Sequence, residues 1–270
     1  MQNPSDNAQK TSESPLSGAL IIIGNEILSG RTQDTNTQWI AEHLTRRGIK
    51  LLEVRVVPDI ESRVIEAVNA LRAQYTYVFT TGGIGPTHDD ITAECIAKAF
   101  GLPYEMHAGA YALLEAHYGK ADLTPARAKM AMMPGGADLI PNPVSGAPGF
   151  IVENVYTMAG VPRIMQAMFD HVLDSLGVGA QIFSNTVGCS LSESMVAEGL
   201  KALQARFAMI EIGSYPHFRA GNTGTSLVLR GTDREAIRAA TGEVITLIET
   251  LDGTASLIGL QVPREEDDTP

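Results

Sequence analysis

The sequence predicts an α/β domain with a parallel sheet, followed by a smaller α+β domain. Three short apolar runs, each ended by glycine or proline, are each followed by a segment whose apolar residues recur at helical spacing. Strand–helix units in succession imply a parallel sheet with helices on both faces. Beyond Gly177-Val178-Gly179 the pattern changes to a β-α-β-β-α order, which suggests a ferredoxin-like domain. With 270 residues, 44% hydrophobic and 19% charged, the chain can build both cores. The expected division is a disordered leader over 1–17, the α/β domain over 18–178, the small domain over 179–262 and an acidic tail over 263–270.

Taken in order, Ala19-Leu20-Ile21-Ile22-Ile23 is a continuous apolar run stopped by Gly24, as expected of a strand buried on both faces. Asn36 is placed to cap a helix whose Trp39, Ile40, His43 and Leu44 share a face and which Gly48 closes. Leu51 to Val57 is a second strand, ended by Pro58, and Asp59 precedes a helix carrying Ile60, Val64, Val68 and Leu71. Tyr77 to Thr80 is a third strand, leading into Gly82-Gly83-Ile84-Gly85-Pro86 and a helix over about Ile91 to Phe100. Ala108 to Tyr118 reads as a helix, and Thr124-Pro125 opens another ending near Met133. The stretch from Pro134 to Tyr156 suggests strands around a loop-built pocket, and Pro162 opens a helix ending at Gly177. In the small domain, strands are expected at Gln181–Val187, Ala208–Gly213 and Thr225–Arg230, with helices at Leu191–Ala205 and Asp233–Leu251.

The formal net charge of −11 opposes a nucleic-acid role, which needs a Lys/Arg-rich face. The two cysteines, Cys95 and Cys189, have no neighbour at metal-ligand spacing, so neither a zinc site nor a disulfide framework is expected. Cys95 falls in a helical pattern and reads as an inert buried thiol. No run approaches 18 apolar residues, and the polar start lacks a signal-peptide layout. A cytoplasmic protein with no membrane contact is expected.

The strongest motif runs from Thr80 to Thr92, TTGGIGPTHDDIT, between a buried strand and a helix. Ligands of open α/β sheets bind at such strand ends. Gly82, Gly83 and Gly85 let backbone amides approach an anion, and the helix start adds roughly half a positive charge. Asp89 or Asp90 could simply cap the helix. Two adjacent acids exceed that need, which makes a metal-binding or catalytic carboxylate the competing reading. Neither a nicotinamide-dinucleotide fingerprint nor a Walker P-loop is present. A second group, Gly24-Asn25-Glu26-Ile27-Leu28-Ser29-Gly30 with Asp34-Thr35-Asn36, follows the first strand, and Glu26 there calls for a partner. Asp59, a third, is either the N-cap of the next helix or another carboxylate on the same sheet edge. The fourth is Asn142-Pro143-Val144-Ser145-Gly146-Ala147-Pro148-Gly149-Phe150 with Gly160-Val161-Pro162, which tight turns alone could explain. His107, His117, His171 and His217 carry no spacing signal. Ser190, Ser192 and Glu193 read as a helix cap.

These motifs, in this order over about Ala19 to Leu176, resemble the N-terminal molybdopterin-binding-type domain of the competence/damage-inducible protein A family. The small domain is similar to that family's middle region. The resemblance implies a three-layer α/β domain, a homo-oligomer, and a phosphorylated small-molecule ligand at the strand ends. It implies catalytic roles for Asp90 and Asp59 and a divalent metal (Mg²⁺, or Mn²⁺ or Co²⁺), which Asp90 with Asp89 or Asp59 is expected to hold. Ligand contacts are then expected at Asn25, Glu26, Gly82, Gly83, Gly85, Thr87, Ser145, Gly146, Ala147 and Gly149. The family's C-terminal nicotinamide-mononucleotide deamidase domain has no room in this chain, so that activity is not expected. Two departures stand out. The family's Gly-Thr before Ala-Pro-Gly reads Ser145-Gly146 here, and Ile164, preceded by Arg163, stands where the family has a glutamate.

The function expected is metal-dependent hydrolysis of a phosphoanhydride such as that of ADP-ribose. Adenylyl transfer to molybdopterin is one alternative, and a non-catalytic nucleotide- or pterin-binding module is another.

Overall fold

The computed structural model describes residues 15–219 and 222–261. The expected acidic tail, and the expected leader as far as residue 14, lie outside the described residues. Ser17 does not belong to a leader: it opens the first strand and pairs with Lys50.

The chain divides into two compact units at Gly179/Ala180. The first contains, in order, β1 (Ser17–Ile23), α1 (Asn25–Leu28), α2 (Asn36–Arg46), β2 (Lys50–Val57), α3 (Glu61–Arg72), β3 (Tyr77–Thr81) and α4 (Thr92–Phe100). It continues with β4 (Tyr104–Met106), α5 (Ala108–Tyr118), α6 (Pro125–Lys129), β5 (Met132–Pro134), β6 (Asp138–Ile140), β7 (Gly149–Val152), β8 (Val155–Met158) and α7 (Pro162–Ser175). Its main sheet has the order β2-β1-β3-β8-β7-β6. β2, β1, β3 and β8 run parallel, while β7 and β6 are added antiparallel, so the sheet is mostly rather than wholly parallel.

The apolar run of β1 is explained by its two faces. Ala19, Ile21 and Ile23 pack with Val64, Val68 and Leu71 of α3 and Cys95 and Ile96 of α4. Leu20 and Ile22 pack with Ile40 and Leu44 of α2 and Met165, Met168 and Phe169 of α7. A strand buried on both sides has no place for the polar half of an alternating pattern. Each of the Val, Leu, Ile, Met and Phe side chains among them contributes about 1.5–3 kcal/mol relative to exposure. The result is three layers, helix–sheet–helix, with the loops after β1, β2, β3 and β8 at one sheet edge.

Several local expectations are corrected. Asn36 does not cap α2 but is its first residue; Asp34 Oδ1 takes the Asn36 and Thr37 amides at 3.0 and 3.3 Å instead. Asp59 does not cap α3, which begins at Glu61 without a side-chain cap, and neither Asp89 nor Asp90 caps α4. The helix opened by Thr124 and Pro125 stops at Lys129 because the chain then turns into β5, which pairs with β4. His107 accepts the Ala110 amide at 3.1 Å and so caps α5. Cys95 is buried as expected, and burial pushes its thiol up to about 12.

The second unit holds β9 (Phe183–Cys189), α8 (Glu193–Arg206), β10 (Glu211–Arg219), β11 (Asn222–Gly231), α9 (Arg234–Thr250) and β12 (Ala255–Gln261). Its antiparallel sheet has the order β10-β11-β9-β12, the ferredoxin-like arrangement, completed by a strand the sequence reading did not anticipate. Asp233 caps α9, its Oδ1 taking the Glu235 and Ala236 amides. Ser192 holds the N-cap position of α8 without a capping bond, and its hydroxyl meets Ser194 instead. No helix among the described residues is long and apolar enough to cross a membrane.

Candidate functional site

At the sheet edge the loops surround a cleft of about 630 Å³. It brings together Glu26 after β1, Asp59 after β2, the Gly82–Asp90 loop after β3, Ser145 and Ala147, and the Ala159–Pro162 turn after β8. These segments are distant in sequence and meet because parallel strands all deliver their carboxyl ends to the same edge.

The Gly82–Asp90 loop is shaped by what surrounds it. Gly82 and Gly83 have φ of 101° and 68°, and a Cβ on either would collide, with Ile23 O and with Thr92 Oγ1 respectively. Thr92 Oγ1 donates to Gly82 O at 2.9 Å, and Thr92 N donates to Gly83 O at 2.9 Å. The amides of Gly83, Ile84 and Gly85 donate to no acceptor among the described residues. Successive unpaired amides in a glycine-rich loop are backbone equipment for an anion.

Thr87 gathers the two acids of the motif. Its amide donates to Asp90 Oδ2 at 2.8 Å, and its hydroxyl lies 2.6 Å from Asp89 Oδ1 and 2.5 Å from Asp90 Oδ2. A hydroxyl has one proton to give. It can be given to either carboxylate, and the bond from Thr87 holds the Asp89 carboxyl below its ordinary range.

No group of three or more His, Cys, Asp or Glu side chains among the described residues could hold a metal ion unaided. Asp89 and Asp90 suit instead a cation such as Mg²⁺ that takes one or two protein carboxylates and fills its shell with ligand phosphate and water. Lys129 Nζ sits beside them, donating to Thr87 O and, at 3.0 Å, to Asp90 O. Asp59 Oδ2 takes the Asn25 amide at 2.9 Å, tying the loop after β1 to the loop after β2.

Of the residues singled out from sequence, Glu26, Asp59, Gly82, Gly83, Gly85, Thr87, Asp89, Asp90, Ser145 and Ala147 line the cleft; Asn25, Gly146 and Gly149 do not. Asn25 acts behind it, through Asp59. Gly146, at φ 73°, turns the chain over the His117 ring, where a Cβ would not fit. Gly149 is buried in β7 against Thr157 O, so glycine there lets two strands approach. The organiser of that loop is Asn142, which takes the Val144 and Ser145 amides and donates to Ser145 Oγ and Ala147 O. Asn36 ties the facing turn by donating to Gly160 O at 2.8 Å. Tyr118, Arg127 and Ile164 also line the cleft. Only Ile164 had been singled out from the sequence; tertiary packing brings in the other two.

Comparison with known proteins agrees with this architecture. Residues 19–177 match the family described as "Probable molybdopterin binding domain", and residues 181–251 match "FAD synthase, middle domain". A protein of Aeropyrum pernix is 36% identical over 208 residues, covering 73% of this chain and 78% of its own. One of Archaeoglobus fulgidus is 34% identical over 222 residues, covering 82% and 93%. The solved structure of the protein CinA of unknown function from Thermoplasma acidophilum superposes with a TM-score of 0.57 at 36% identity, over 60% of this chain and 98% of that one. The expected likeness to the competence/damage-inducible protein A family therefore holds. On a match that spans more than half its length and includes every loop of the cleft, the chain belongs to the molybdopterin-binding domain family.

Proposed function

We propose that the chain is a divalent-metal-dependent phosphoanhydride hydrolase acting on a nucleoside diphosphate derivative such as ADP-ribose. The observation that carries this is the placing of three unpaired amides, Gly83 to Gly85, beside the Asp89–Thr87–Asp90 cluster in one cleft. The amides hold phosphate oxygens of the ligand. Asp89 and Asp90 hold the cation, which when bound neutralises the diphosphate and lowers the pKa of a water. Asp59 keeps Oδ2 on the Asn25 amide and offers Oδ1 to a water. The water oxygen bonds to phosphorus, the bridging P–O bond breaks, and the departing phosphate carries the electron pair. Asp59 takes the water's proton.

A second reading is a module that binds a phosphorylated nucleotide or pterin without turnover. The apolar strip of Ala159, Val161, Pro162 and Ile164 along the cleft favours it, because it offers contact area but no titratable group. Either reading includes a homo-oligomer. β2 is an edge strand whose Leu52, Val54 and Val56 are 60, 40 and 39% exposed, and we place a second copy there.

The test is phosphate-coupled turnover of ADP-ribose, FAD and other dinucleotides with Mg²⁺, Mn²⁺ or Co²⁺, beside Asp90→Ala. Metal-dependent hydrolysis lost in the variant is the expected result. Full activity in Asp90→Ala refutes the assignment. No turnover, but thermal stabilisation by a ligand, about 2.7 kcal/mol at 100 times its Kd, selects the binding module.

A further inference from the structure

We infer that Arg127 is the residue that selects a diphosphate ligand over a monophosphate, by gripping the second phosphoryl group. This rests on the phosphate-cleft reading above. Arg127 lies on α6 and lines the same cleft as Asp89 and Asp90. Its guanidinium sits 4.3 Å from the centroid of the Tyr118 ring, and its Nη1 donates to Asp122 O at 2.7 Å. One face and one nitrogen are thus fixed by the protein. Nε and Nη2 have no acceptor among the described residues, and no carboxylate pairs with Arg127 there.

An arginine without a carboxylate partner is unusual in a cleft that Glu26, Asp59, Asp89 and Asp90 also line. Those acids repel an anion, and Arg127 is the cation within the lining that still has in-plane donors to spend. Nε and one Nη form a fork that matches two oxygens of a phosphate, a geometry lysine cannot reproduce. The Tyr118 ring and the bond to Asp122 O hold the guanidinium before the ligand arrives, so less freedom is lost on binding. Lys129, two residues on, is spent on the carbonyls of Thr87 and Asp90 and steadies the loop that takes the first phosphate. Two anion subsites follow, one of backbone amides and one of guanidinium, and a ligand with a single phosphate fills only the first.

The experiment compares the Kd of AMP and of ADP-ribose, the latter as its non-hydrolysable methylene-bridged analogue, each with Mg²⁺, by calorimetry on the full chain as wild type, Arg127→Ala and Arg127→Lys. Trp39 fluorescence during urea unfolding checks that each variant is folded. Wild type is expected to hold ADP-ribose about tenfold or more tighter than AMP, the worth of charge-assisted hydrogen bonds. Arg127→Ala should bring the two ligands together while leaving AMP unchanged, and Arg127→Lys should recover part of the difference. A preference kept in Arg127→Ala, or an equal loss for both ligands, overturns the assignment of selectivity to Arg127. A wild type that binds both ligands equally does the same. Full recovery in Arg127→Lys overturns the fork. A wild type that binds neither ligand overturns the phosphate-cleft reading, and this inference with it.

Discussion

Replacing Gly83 with alanine tests the geometry of the anion loop without needing its ligand. Gly83 has φ 68°, a region that costs an L-residue about 1–2 kcal/mol. The new Cβ would collide with Thr92 Oγ1, so Thr92 must rotate and give up its 2.9 Å bond to Gly82 O. Thr92 is fully buried, and losing that bond leaves polar atoms unpaired at about 1–3 kcal/mol. The two together destabilise by about 2–5 kcal/mol, less about 0.4–1 kcal/mol gained by stiffening the unfolded chain. Gly101 supplies the control. Its φ is 65°, but a Cβ there meets nothing within 4 Å, so Gly101→Ala carries the backbone cost alone. The assay is urea unfolding followed by Trp39, the single tryptophan of the chain. It lies in the first unit and therefore reports on that unit without the second. Equal losses in the two variants would refute the claim that the packing of Thr92 on Gly82 and Gly83 fixes the loop.

Other expected outcomes concern the acids, the thiol and the edge strand. Thr87→Val removes the hydroxyl that lowers the Asp89 pKa, so a carboxyl NMR titration should show Asp89 moving up toward its ordinary value; no movement refutes the Thr87–Asp89 bond as the cause. In wild type the contribution of Asp89 to stability is present above its unfolded-state pKa and is lost as pH falls through the depressed native value. Cys95, with a pKa of about 12, is ionised at pH 8 to about one part in ten thousand, so a thiol reagent should label it only after unfolding; native labelling at the rate of a free thiol refutes its burial. An antiparallel pairing of two β2 strands centred on Val54 sets Glu53 of each copy against Arg55 of the other and joins the exposed valines. Val54→Lys should shift sedimentation to a smaller species, and an unchanged mass refutes that interface.

The parts of the fold that depend on one stretch of chain were legible in the sequence. β1 shows itself as an unbroken apolar run because both of its faces are covered, and α5 begins and ends where its pattern does. The parts that depend on a distant partner were not. α6 looks able to run to Met133, yet β4 recruits Met132–Pro134 as a strand. β12 has exposed Leu257 and Ile258 and is a strand because β9 offers an edge. The site divides in the same way. The carboxylates after β2 and β3 could be read as caps or as cleft acids, and only the true starts of α3 and α4, at Glu61 and Thr92, take them out of capping. Gly149 looked like a ligand glycine because it shares a motif with Ser145, but the alternation of a strand turns it inward. Tyr118 and Arg127 carry no local signal; the packing of α6 on the Gly82–Asp90 loop through Lys129 brings them to the cleft.

Charge sets a further condition on whatever ligand the cleft takes. Glu26, Asp59, Asp89 and Asp90 line it with Arg127 as the one lining cation among the described residues, in a chain of net charge −11. Amide dipoles alone do not offset four carboxylates, since each helix start is worth only about half a charge. In the proposed reading a diphosphate therefore enters this cleft together with a divalent cation rather than before it. Affinity for the ligand and affinity for the cation must then rise together by the same factor, as linkage requires. Beside the base Asp59, the acids Asp89 and Asp90 therefore serve in that reading to make binding of the ligand conditional on the cation.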